Sequence, residues 1–88
     1  MHQYKDLLQE FLAERFKDCR TENRFTQEVM AEKLHISPRS YAYLEGGTYG
    51  CSAATLMFFF LILSDEEVIQ LRLEFWTLVE RNGEYVVV

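Results

Sequence analysis

The chain has 88 residues, is 49% hydrophobic and 15% aromatic, and holds one proline and four glycines; that length and make-up suit one compact core and exclude a disordered polymer or two independent cores. A net charge of −5 argues against indiscriminate binding to nucleic acid, because phosphate affinity is carried by Lys and Arg releasing counterions. The acidity is uneven: Met1 to Glu45 carries seven basic and eight acidic residues, whereas Gly46 to Val88 carries two and six, so any locally basic face belongs to the first half.

Met1 to Glu10 mixes charged and apolar residues, unlike a secretory leader, which predicts a cytoplasmic protein. The longest apolar run, Leu56 to Leu63, has eight residues; a membrane-spanning helix needs about 20, so the run is expected to be core. Cys19 and Cys51 lie far apart, without Cys-x-x-Cys spacing or a histidine cluster, so two free thiols are expected and no metal site or cofactor.

In chain order, Tyr4, Leu7, Leu8, Phe11, Leu12, Phe16 and Cys19 recur at three- and four-residue spacing, which predicts a first helix running to about Glu22 with one apolar face. Asn23-Arg24-Phe25 breaks the pattern, and Thr26 can cap a second helix over Gln27 to Leu34. Ser37 caps and Pro38 opens a third, short helix ending at Glu45, because proline suits a first helical position whose amide would have no partner. Gly46-Gly47 stops it. Ser52 caps a fourth helix to about Leu63. Ser64 with Glu67 forms a capping box that starts a fifth, reaching about Arg81 before Asn82-Gly83. The tail, Glu84 to Val88, ends in three valines and reads as a frayed end or a short strand on another chain.

Two short helices separated by His35-Ile36-Ser37 have the lengths and spacing of a helix-turn-helix. Residue types add to the spacing: Arg20, Thr26-Gln27-Glu28, Met30-Ala31, Leu34, Ile36-Ser37, Tyr41, Leu44-Glu45, Gly47 and Thr55-Leu56. Ala31 is small enough for helices two and three to cross closely, while Met30, Leu34, Ile36, Tyr41 and Leu44 fill the space between them. On these residues the segment from about 20 to 63, half of the chain, resembles the phage-repressor and Cro type, the XRE family of transcriptional regulators. The resemblance implies an all-α, five-helix, lambda-repressor-like helix-turn-helix domain spanning residues 1–88, with a long C-terminal helix over about 65–81. It also implies a structural ion pair between Arg20 and Glu45, and a phosphate-positioning role for Gln27.

Ser37, Arg39, Ser40 and Tyr43 fall on the side of helix three away from Tyr41 and Leu44, and are the candidates to meet double-stranded DNA. Arg39 is foremost, since a guanidinium can donate two hydrogen bonds to guanine O6 and N7. Lys17, Arg24 and Thr48 are candidates for the flanking phosphates. Three features depart from the family pattern. His35 stands where a turn glycine is usual, a position histidine tolerates. Pro38 has no polar group with which to read a base, and the loop Gly47 to Cys51 has no Lys or Arg.

Apolar residues of helix five spread over an arc of roughly 220°, about twice what a surface helix needs. Val68, Leu71, Phe75 and Leu78 are expected to pack inward. Ile69, Leu73 and Trp76 are left as a patch for a two-fold homodimer or a protein partner at helix five. The expected function is a sequence-specific DNA-binding regulator, a repressor acting as a homodimer with helix three in the major groove. The alternative is an interaction module or antitoxin-like protein that keeps the scaffold but binds protein through Tyr43, Tyr49 and helix five. An enzyme is not expected, because His2 and His35 have no visible catalytic partner.

Overall fold

The computed structural model describes residues 4–83, so the valine tail lies outside the described residues. Five helices follow one another: α1 Tyr4–Glu22, α2 Gln27–Leu34, α3 Pro38–Glu45, α4 Ala53–Ile62 and α5 Asp65–Arg81. The fold is all-α, as the periodicity predicts, and none of the described helices is long and apolar enough to cross a membrane.

The starts of α2, α3, α4 and α5 are each fixed by a side chain that satisfies an otherwise unpaired helical amide. Thr26, Ser37, Ser52 and Ser64 accept from the amides of Val29, Ser40, Thr55 and Glu67, each at 3.1 Å. Glu67 Oε1 accepts in return from the Ser64 amide at 3.0 Å, closing the expected capping box.

The ends of α1, α2 and α3 share one device. The amide of Arg24 bonds to the Thr21 carbonyl and that of Phe25 to Arg20; His35 and Ile36 bond in the same pattern to Glu32 and Ala31, and Gly47 and Thr48 to Leu44 and Tyr43. This double bond pattern requires a left-handed residue just past the helix. Arg24, His35 and Gly47 supply it, at φ of 58°, 60° and 75°. His35 therefore holds the turn between α2 and α3, with its ring stacked on Phe58 at 4.3 Å between centroids.

The core gathers around α1. Phe16, Met30, Ala31, Leu34, Tyr41 and Phe59 are essentially inaccessible to water. Phe16 packs against Phe59 and, edge-on, against Tyr41; the Tyr41 hydroxyl donates to the Phe16 carbonyl at 3.3 Å, which satisfies the one polar atom this ring carries inside. Ala31 lets α2 and α3 approach, as its size predicts.

Helix α5 is attached differently. None of its described residues is fully buried. Leu71, Phe75 and Leu78 pack on the core from partly covered positions, Phe75 meets Phe11 at 5.4 Å, and Arg15 of α1 donates to Glu74 at 2.7 Å. Cys19 is buried and Cys51 half-buried, both as free thiols, and burial pushes each thiol above its ordinary range.

Candidate functional site

The third helix is clamped from behind by an ion pair. Arg20, in the last turn of α1, sends Nε to Glu45 Oε2 at 2.7 Å and Nη2 to Glu45 Oε1 at 2.8 Å, while Nη1 donates to the Phe25 carbonyl at 3.2 Å. The two-pronged geometry fixes both side chains in one plane. The hydrogen bonds from Arg20 hold the Glu45 carboxyl below the usual carboxylate range. Arg20 thus locks the last residue of α3 to α1.

Gln27, at the first position of α2, is half-buried. Its Nε2 lies 3.4 Å from Glu45 Oε1, so the side chain leans toward the ion pair, a contact that motif matching does not predict. Its backbone position still places it at the start of α2, where free amides collect.

On the opposite side of α3, Ser37, Pro38, Arg39 and Ser40 are exposed and Tyr43 is half-exposed. The structure binds them into two small groups. Ser37 accepts from the Ser40 amide and donates to the Ser40 hydroxyl at 2.9 Å, so the cap consumes much of the hydrogen-bonding capacity of both serines. Arg39 Nε donates to the Tyr43 hydroxyl at 3.4 Å, and its guanidinium carbon lies 5.8 Å from the Tyr43 ring centre. Tyr43 in turn packs edge-on against Tyr49, centroids 5.0 Å apart. Arg39 therefore rests on a tyrosine that a second tyrosine, from the following loop, holds in place.

Beside this trio, Ile36, Ser40, Leu44, Cys51 and Thr55 complete an open hollow of about 350 Å³ between α3 and the start of α4. Lys17, Arg24 and Thr48 are exposed, the first on α1, the second in the turn after it and the third past α3. Among the described residues, Lys17, Arg24 and Arg39 form no ion pair, which leaves their charge available to an external anion. Lys33 is turned onto the Phe25 ring at 4.8 Å.

Sequence reasoning misses two supports of this surface. Gln9 Nε2 donates to the Gly47 carbonyl at 2.8 Å, pinning the loop after α3 to α1, and Tyr49 braces Tyr43. The first has no local signal because it depends on which distant helix lies alongside, and the second because the course of the loop after α3 decides where Tyr49 falls.

Ile69, Leu73 and Trp76 stand on the outer side of α5, all exposed, while Leu71, Phe75 and Leu78 face the core. No protein-family model matches the chain, and neither does any curated protein or solved structure.

Proposed function

We propose that the chain is a sequence-specific DNA-binding transcriptional regulator, a repressor of the XRE helix-turn-helix type, that enters the major groove with α3 as a homodimer. The observation that carries this reading is the two-sided character of α3. One side is buried and locked by Tyr41, Leu44 and the Arg20–Glu45 pair, and the other offers Arg39 exposed, unpaired with any carboxylate and resting on Tyr43. A rigid helix presenting a prearranged guanidinium suits guanine recognition in the major groove.

In this reading Arg39 reads a base and Ser40 and Tyr43 border it. Gln27, Lys17, Arg24, Ser37 and Thr48 border the backbone phosphates. No catalytic residue, metal or cofactor is assigned. The setting is the cytoplasm.

A second reading draws on a different observation: five large apolar side chains on α4 and α5 are exposed, and the loop after α3 is not basic. An interaction module or antitoxin-like protein that binds protein through these surfaces would need neither a basic face nor an operator.

Fluorescence-anisotropy titration of genomic fragments, including the protein's own promoter region, separates the two. The regulator reading requires saturable, fragment-selective binding that Arg39→Ala abolishes and that weakens as salt rises. A folded wild-type protein without selective binding refutes it.

A further inference from the structure

Two exposed apolar stripes flank one groove. The groove, about 270 Å³, is lined by Leu8 and Leu12 of α1, Leu56 and Phe60 of α4, and Val68, Leu71 and Phe75 of α5, with Arg72 as its one charged lining residue. One position beyond Leu56 and Phe60 stand Met57 and Leu61, 60% and 78% exposed. One position beyond Val68, Arg72 and Phe75 stand Ile69, Leu73 and Trp76, 53%, 44% and 59% exposed. Because each step along a helix turns the side chain by about 100°, both stripes rise from the groove edges toward solvent on their own helices. Each of the two helices thus carries an exposed apolar stripe next to the residues with which it lines the groove.

We propose that a second copy of this chain covers the whole α4–α5 surface, with the Leu61 ridge of each copy seated in the partner's α1–α4–α5 groove. This deepens the homodimer of the regulator reading, which assigned α5 alone, and it rests on no DNA contact. Three observations select a second copy as the occupant. The five exposed side chains alone present roughly 500–600 Å² per copy, so a two-fold pair would bury about 1,000–1,200 Å² before the groove walls are counted, enough for a specific interface. Ridge and hollow lie side by side on α4, Leu61 next to groove-lining Phe60 and Met57 next to Leu56, which lets one two-fold operation satisfy both at once. Finally, α5 has no fully buried residue among those described, whereas covering this face would give it a second wall.

The charge of the chain supplies a signature. Each copy carries −5, so association brings like charges together and strengthens when salt screens them. DNA binding responds to salt in the opposite direction. The two activities are thereby separable on one sample.

The test is sedimentation velocity of the full chain without DNA, from about 1 to about 300 µM, at low and high salt. Emission from Trp76, the single tryptophan, is followed in parallel. The expected result is a monomer–dimer equilibrium that tightens with salt, with Trp76 emission shifting to the blue as the dimer forms. Leu61→Asp, at a site too exposed to disturb the fold, should weaken the dimer by about tenfold or more. Val29→Asp, on α2 and away from this face, should leave it unchanged, with far-UV circular dichroism confirming that both variants are folded. A wild-type monomer throughout, a Leu61→Asp protein that dimerises normally, or equal loss in Val29→Asp would each overturn the proposal. Failure here leaves fragment-selective binding by the wild type as a separate question, answered by the anisotropy titration.

Discussion

Arg20 and Glu45 face each other across the junction of α1 and α3 through two parallel hydrogen bonds of 2.7 and 2.8 Å. Side-chain exposure is only 19% and 9%, so each charge has traded most of its water for the other. The consequence of the pair is orientational, because it sets how the exposed side of α3 is presented.

Removing one partner strands the other. Arg20→Met leaves a largely desolvated carboxylate with only the Gln27 amide and the Tyr41 hydroxyl nearby, and should cost about 3 kcal/mol in urea unfolding. The double variant Arg20→Met/Glu45→Met should recover a substantial part, since two apolar side chains leave no buried charge. A double variant as unstable as the sum of the two singles would contradict this account.

The same pair sets a pH dependence. Hydrogen bonds from Arg20 lower the Glu45 carboxyl below its ordinary value, so the folded state holds its proton less tightly than the unfolded chain. The associated stability is complete above the ordinary carboxylate range and is lost as pH falls through the lowered folded value. Thermal unfolding followed downward from neutral pH should show an acid limb, and Glu45→Gln should make that limb shallower.

Arg24 and Gly47 occupy the same left-handed position after their helices, yet only one is a glycine. Arg24→Gly should stabilise the protein by about 1 kcal/mol, raising Tm by about 4–8 °C, by relieving the clash of a Cβ in that conformation. Gly47→Ala should destabilise by a similar amount for backbone reasons alone, because an added Cβ would find Ala13 no nearer than 3.8 Å. If Arg24 also serves the DNA backbone as proposed, Arg24→Gly gains stability while losing affinity uniformly across sequences.

Tyr43→Phe tests the support of Arg39. The change deletes the hydroxyl to which Arg39 Nε donates but keeps the ring against Tyr49, so stability should move by less than about 0.5 kcal/mol. Under the regulator reading, discrimination among base substitutions in the preferred fragment should narrow, measured by anisotropy competition, while the salt slope stays unchanged. Equal weakening across all fragments instead would place Tyr43 on phosphate.

Both thiols should react slowly. Burial raises Cys19 and Cys51 above the ordinary thiol range, leaving little thiolate at neutral pH. Alkylation by iodoacetamide should be slower than for the unfolded chain at both sites, and slowest at Cys19, which is the more enclosed. Fast labelling of Cys19 under native conditions would show that α1 opens locally.

Helix positions, the four side-chain caps and the stop at Gly46-Gly47 were legible in the chain because they depend on residues within four positions of one another. His35 at the turn was legible for the same reason, its tolerance of left-handed backbone being local. Leu71, Phe75 and Leu78 face inward as apolar spacing suggests, whereas Val68 lines the open groove; the 220° arc left two sides open until α1 supplied Phe11 and Arg15 as partners. The Tyr43–Tyr49 brace, the Gln9 hold on Gly47, the lean of Gln27 toward Glu45 and the groove between α4 and α5 were not legible. Each joins segments that no pattern relates, so only the packing of whole helices decides which side chains meet and which apolar residues remain in water.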